Sequence, residues 1–558
     1  MTERASARGS GPATPWAWPL IALAVVAGMT PAPAQNLPPP AIETTPWRDS
    51  DDTIEGWDWS LPPGVWPVAY SGVKYYDRDG RAVPGNRIGQ VAGSWRECEP
   101  QEGAYDFEPL RKRLQELPEQ YAGAELHVYA SVYETRYTNA GKVTPGTGPL
   151  WLIEQYGVPL IEEKEKTNLA TPFQVVNFDI FNPTYHSRYL KFVEELRKSG
   201  IAQMPQVMIC YLHGKSSSRG EEAGGTYEGP ELVCMEQRMD AWARAFGDMA
   251  YKLAWVGNSG EVLDYAYSLG MGQRNGFVEM YLGHCNNPQL GQSLDEHGYL
   301  VVEESCPPIA EGRAFGDENE EYAVNVHVPR FGPVESWPHR YRESMLRVLQ
   351  MRRNFVWAEG NPWVDPPLLA YVSLELGRTV NDAPDAWCYL RESYTRGQSR
   401  TEPQSVKNFE RWLYQRDGEG CGTVPTERVE HPIPNLTWGV PEDYHCDYIA
   451  RRTDLASGND HIAIAVDDRF LSGGPHRVAV KVTYLDTGNG RWRLGYHTPE
   501  AEATREVACE DTGRTLTATI LLDDACFPAH DPEPDIAITA IGEDATVSFV
   551  RVVKLGEA

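Results

Sequence analysis

From about residue 64 onward the chain repeats one device: a short apolar run, a loop and, usually, a stretch with apolar residues three and four apart. The runs are Trp66–Ser71, Ile88–Trp95, Glu125–Val132, Gln206–Leu212, Lys252–Val256, Gly276–Leu282, Arg313–Asp317 and Asn354–Ala358. Each is too short for a helix and is bounded by turn residues, which favours a buried strand. Helical spacing recurs between them, at Phe107–Leu117, Tyr185–Lys198 and Pro338–Arg353. Strands alternating with helices build parallel sheet, and this repeat predicts an α/β fold, a (β/α)8 TIM barrel over residues 64–405. The competing architecture, a doubly wound open sheet, would place a phosphate-binding glycine loop after an early strand, and none is there.

The texture differs at both ends. Arg4 and Arg8 precede an apolar stretch from Trp16 to Met29 and then Ala32-Pro33-Ala34, the order of a secretory signal peptide over residues 1–34. Residues 35–63 are rich in Pro, Asp and Trp without periodicity and read as an extended N-terminal segment. A Gly- and Pro-containing stretch, 406–442, reads as a linker. Beyond it, Val478–Tyr484 and Trp492–Tyr496 alternate about the turn Asp486–Gly490, which predicts a hairpin. Residues 443–558 are accordingly expected to form a C-terminal β-sandwich. The mature chain is expected to be secreted or periplasmic. The ten Cys then permit disulfides, with Cys509–Cys526 and Cys285–Cys306 the pairings nearest in sequence.

Charge and motifs remove whole classes of function. The formal charge of −28 disfavours nucleic acid as a partner. After the N-terminus there is no apolar run long enough to span a bilayer, so no membrane insertion of the mature chain is expected. Gly214-Lys215-Ser216 resembles the end of a phosphate loop, but Ile209 occupies the position where that loop needs glycine. Gly270–Gly276 has dinucleotide-like glycine spacing yet precedes a strand run, so a tight loop is the better reading. The chain has no HExxH, G-x-S-x-G, CxxC pair or EF-hand loop, and its His residues lack metal-ligand spacing. Neither a cofactor nor a metal is implied.

What remains is acidic residues at the carboxyl ends of expected barrel strands, where such folds place their chemistry. The fourth run leads into His213, a Gly-rich loop and the pair Glu221-Glu222; the seventh leads into Asp317-Glu318-Asn319-Glu320. Two carboxylates across one mouth can cleave a glycosidic bond, one protonating the leaving oxygen and the other attacking C1 or activating water. Aromatic and polar residues near other strand ends fit a carbohydrate substrate: Trp95, Tyr133, Glu134, Tyr211, Glu279, Tyr281, Trp357, Glu359 and Trp363. Arg219, Arg274, Asn319 and Tyr322 could keep a nucleophilic carboxylate ionised. Arg340, Arg342, Arg347, Arg352 and Arg353 could form a basic patch, but read more simply as one helix.

Trp95-Arg96-Glu97-Cys98-Glu99-Pro100-Gln101-Glu102-Gly103-Ala104-Tyr105-Asp106-Phe107 resembles the W-x-x-x-E-P-x-x-G-x-Y-D-F segment of family-42-type β-galactosidases and their relatives in glycoside hydrolase clan A. Pro149-Leu150-Trp151-Leu152 is similar to the P-x-W-L segment after their third strand. The resemblance implies a retaining mechanism. It makes Glu221 the acid/base, with Glu222 second, and Glu318 the nucleophile, with Glu320 second; Glu359 is a third option. In those relatives Asn precedes the acid/base, whereas Gly220 stands there in this chain. The C-terminal part resembles sandwich modules of secreted polysaccharide-degrading enzymes, which bind carbohydrate or brace the catalytic domain. Two other functions remain open at this point: a non-catalytic glycan-binding barrel and a polysaccharide lyase.

Overall fold

The strand Tyr121–Tyr129 shows how the first half of the molecule is built. Ala124, Leu126 and Val128 are buried in a hydrophobic core with Leu110, Leu114, Tyr189, Phe192 and Leu196. Alternation along the strand puts Glu125, His127 and Tyr129 on its other face. The neighbouring strand Arg87–Ser94 repeats the pattern: a Cβ at Gly93 would touch Leu110, and Val91 is buried, whereas Gln90 and Ala92 are exposed on the opposite face. Helices cover the outer face. In Pro183–Ser199, Tyr185, Tyr189, Phe192, Val193 and Leu196 recur at helical spacing; Asn182 caps its start and Gly200, at φ 75°, ends it.

The structure is a computed structural model that describes residues 43–45, 57–60, 72–75, 87–165, 172–212, 227–257, 260–274, 287–318, 337–358, 366–396, 403–430, 446–529 and 534–555. Its parallel strands are β1 (Gly72–Tyr75), β2 (Arg87–Ser94), β3 (Tyr121–Tyr129), β4 (Val207–Leu212), β5 (Leu253–Val256), β6 (Gly272–Arg274), β7 (Phe315–Glu318) and β8 (Phe355–Ala358). Each pairs with the next in chain order, and β8 returns to β1. The weakest joint is between β1 and β2, a single residue pair, Val73↔Arg87.

In the second half, twelve strands together with Glu43–Thr45 form a 13-stranded antiparallel sheet. Its longest strands, Gly473–Asp486, Arg514–Phe527 and Thr546–Lys554, carry Val480, Val482, Ile520 and Val550 into a core of their own. A further core contains Val356 of β8, Tyr341, Leu346 and Leu349 of the helix Trp337–Gln350, and Trp387, Tyr389 and Phe549 of the sheet. Trp57 and Trp59 from the N-terminal segment are sealed into this same core, and Glu43–Thr45 pairs with the strand Arg514–Phe527.

These observations correct the expected (β/α)8 barrel followed by a C-terminal β-sandwich. The molecule is strand-dominated. Several parallel strands have only three or four residues, and among the described residues the crossover from β6 to β7 carries only one α-helix, the four-residue Pro307–Ala310. Between β3 and β4 the chain adds a four-stranded antiparallel sheet formed by Val132–Tyr137, Lys142–Pro145, Leu160–Glu162 and Phe173–Phe178. Between β6 and β7 it adds a two-stranded hairpin. The large antiparallel sheet begins at Asp385, not at residue 443. The expected linker 406–442 includes the strand Leu413–Gln415, most of Pro403–Arg411 and all of Val424–Glu430, so it too is corrected. The physical reason is that long crossovers can bury apolar surface as hairpins as well as helices.

The run Trp66–Ser71, residues 276–282 and the signal-peptide region 1–34 lie outside the described residues. Among the described residues, no helix is long and apolar enough to cross a membrane. Cys509 and Cys526 are both free thiols, which corrects that pairing; Cys306 is also free, and Cys285 lies outside the described residues.

Candidate functional site

The carboxyl ends of parallel strands gather the residues that follow each strand, and a site is sought there first. β7 ends at Glu318, which is in register with Trp357 on β8. β4 ends at Leu212 and hands the chain to the segment carrying His213, Glu221 and Glu222, all outside the described residues. Glu279, Tyr281, Glu320, Glu359 and Trp363 also lie outside them, as do Arg219, Asn319 and Tyr322. The backbone therefore places Glu318 and Trp357 side by side at neighbouring strand ends.

Beneath those ends is a polar constellation on the strand faces turned away from the helix-packed core. Glu125 and His127, two residues apart on β3, are fully buried and joined by a side-chain contact between Oε1 and Nε2. The His127 ring meets Tyr129 at 5.4 Å and, edge-on, Tyr211 of β4 at 4.8 Å. The Arg274 guanidinium lies 5.2 Å from the Tyr211 ring, and Phe355 of β8 lies 6.3 Å from it. Across the ladder, Gln90 and Ala92 are register partners of Glu125 and His127 and are exposed, so solvent reaches the strand beside this buried group. Glu125 and His127 escaped the sequence reading. The signal was there in Glu125-Leu126-His127-Val128-Tyr129, whose strict polar–apolar alternation is unusual in a strand expected to be apolar on both faces.

On the opposite face of β7, Asp317 is fully buried and its Oδ2 lies 2.9 Å from Arg353 Nε. Arg353 Nη1 donates to Gln273 Oε1 of β6 at 2.8 Å, and Gln273 Nε2 donates to the Gly257 carbonyl just past β5 at 2.7 Å. The Arg353 guanidinium also stacks 3.6 Å from the Phe315 ring centroid. Burial pushes the Asp317 carboxyl up to about 6, against the opposing pull of Arg353, Arg347 and Arg274.

Trp95 is not a ligand platform. It is 0% exposed and packs against Trp151, Tyr185, Tyr189 and Phe192. Its indole N–H donates to Glu99 Oε2 at 2.6 Å, the Gly103 N–H donates to the other oxygen, and Trp151 donates to the Glu99 carbonyl. The segments Trp95–Phe107 and Pro149–Leu152 thus meet in one structural cluster. Its apolar bulk made Trp95 look like a sugar-facing wall, but the same property drew it into the core. Glu134 lies on the added antiparallel sheet and pairs with Arg136 at 2.7 Å, while Tyr133 is half-buried against Phe178. Tyr211 is fully buried in the polar constellation. Among the described residues, no group of three or more His, Cys, Asp or Glu is arranged to hold a metal ion.

Neither a family model nor a curated protein matches the chain.

Proposed function

We propose that the chain is an exported glycoside hydrolase that cleaves O-glycosidic bonds of a poly- or oligosaccharide by a retaining, two-carboxylate mechanism. The observation that carries this reading is Glu318 as the last residue of a parallel strand, in register with Trp357. The likeness of the Trp95–Phe107 and Pro149–Leu152 segments to clan A glycosidases adds to it.

In this mechanism the Glu318 carboxylate attacks C1 while the Glu221 carboxyl group protonates the departing oxygen. Water then enters, Glu221 takes its proton, and the glycosyl bond to Glu318 breaks. Arg274, His127 and Tyr211 form a buried polar and aromatic layer beneath these strand ends, which supports the site from below. The experiment is hydrolysis of a panel of aryl glycosides and polysaccharides, read as aglycone or reducing-end release. Turnover that is lost in E221Q and in E318Q, with glycan affinity retained, supports the reading. A wild-type chain that binds glycans without turnover is a carbohydrate-binding protein instead.

The alternative reading is a polysaccharide lyase. It would abstract the C5 proton of a uronate and leave an unsaturated, ultraviolet-absorbing end. Product absorbance separates the two.

A further inference from the structure

The ion pair behind β7 is an expensive feature in an unexpected place. Asp317 and Arg353 are both sealed from solvent, and burial pushes each toward its neutral form. An apolar pair of similar volume would be as stable or more so. What the charged pair supplies is direction. It joins the end of β7 to Arg353, Arg353 to Gln273 on β6, and Gln273 to the backbone that leaves β5. Three neighbouring strand ends are thereby tied at one level, and Asp317 is the residue next to Glu318.

We propose that Asp317 is a positioning residue for Glu318: ionised, it locks the carboxyl end of β7 to β6 and β5 through Arg353 and Gln273, and protonation releases that lock. The inference rests on the reading of Glu318 as the nucleophile. Protonated Asp317 no longer offers Arg353 an anionic acceptor, so the strand end loses its charge-assisted anchor. The groups that face the pair are Arg347 of the helix Trp337–Gln350, Arg274 of β6, Tyr267 of the helix Glu261–Ser268, and Cys306. With Arg353, the arginines favour ionised Asp317, while burial opposes it; Tyr267 and Cys306 stay neutral through the range where Asp317 titrates. Asp317 therefore changes charge near pH 6, inside the working range of an exported hydrolase.

The test is the pH dependence of kcat and KM for D317N, D317E and R353K on the best substrate of the panel. In D317N, kcat should fall about ten- to a hundredfold with KM little changed, as expected for a misplaced reacting group. The acid limb near pH 6 should disappear from its profile. D317E, which keeps the charge, should recover part of kcat. If D317N does not fold, R353K carries the test, because lysine keeps the charge but cannot bridge Asp317 and Gln273 as a fork. Wild-type kcat and an unmoved acid limb in the variants overturn the positioning role and leave the glycosidase reading standing. A wild type that turns over no glycoside overturns both.

Discussion

Replacing Trp95 separates a core residue from a sugar platform. Complete burial of an indole removes about 150–250 Å² from water, worth about 4–6 kcal/mol at roughly 25 cal/mol/Å². Truncation of a fully buried Trp to Ala costs about 3–5 kcal/mol once relaxation of the site is included. W95A also strips Glu99 of the donor at 2.6 Å, leaving a buried carboxylate oxygen short of a partner at a cost of about 1–3 kcal/mol. The expected total is about 4–8 kcal/mol. W95F keeps a ring against Phe192 and isolates the hydrogen-bond part, about 1–3 kcal/mol. The assay is urea unfolding followed by tryptophan fluorescence and circular dichroism at fixed pH. A loss under about 1 kcal/mol in W95A, together with a selective rise in KM for a glycan, would refute the core assignment and restore Trp95 to the substrate.

Three further outcomes rest on the geometry. Burial and the neighbouring Asp385 raise the Glu375 carboxyl to about 8, so its stability contribution is complete below 4.5 and lost as pH rises through about 8. The melting temperature of the wild type should therefore fall between about pH 5 and 8 more than that of E375Q, as read by calorimetry. Asp58 is drawn down to about 2 despite its burial, by the charge of Lys481, 2.7 Å away, and by hydrogen bonds from Lys481 and Ser60. Its contribution is present above 3.8 and lost as pH falls through about 2. D58N should cost about 1–2 kcal/mol at neutral pH, after discounting for partial exposure, and its denaturation midpoint should show a shallower acid slope. A Cβ at Gly272 would sit 1.7 Å from the Ala314 carbonyl oxygen, so G272A should destabilise by about 3 kcal/mol in the same urea assay.

The strands were the legible part of the fold. The apolar runs at 88–95, 206–212, 252–256, 313–317 and 354–358 coincide with β2, β4, β5, β7 and β8 to within a residue or two at each end. β4 and β5, buried almost throughout, leave a compact apolar signature that does not depend on their partners. The connections were less legible. Val132–Tyr137 and Phe173–Phe178 pair with each other across 35 residues of intervening chain, and neither carries a two-residue turn that would announce a hairpin. Val424–Glu430 has Pro425 at a strand position and Glu427 at φ 59°, features that read as loop until Cys446–Arg452 supplies the ladder.

The site divided the same way. The backbone positions of Glu318 and Trp357 were within reach of the sequence because Glu318 directly follows the run Arg313–Asp317, Trp357 is the penultimate residue of Asn354–Ala358, and neighbouring strands set the two in register. The place of Arg353 was not, because its role depends on Gln273, 80 positions away, and on the chain leaving its helix at Gln350, before Arg353 is reached.

Azide rescue of E318A on an activated aryl glycoside tests whether Glu318 is the nucleophile. A nucleophile variant should lose turnover and regain it with azide, giving a glycosyl azide of inverted configuration, because the small anion enters where the carboxylate stood. Glycosyl azide from E318A, with wild-type turnover proceeding with retention, is the result expected here. Undiminished turnover in E318A, or an inactive variant whose rate azide leaves untouched, would contradict Glu318 as the nucleophile.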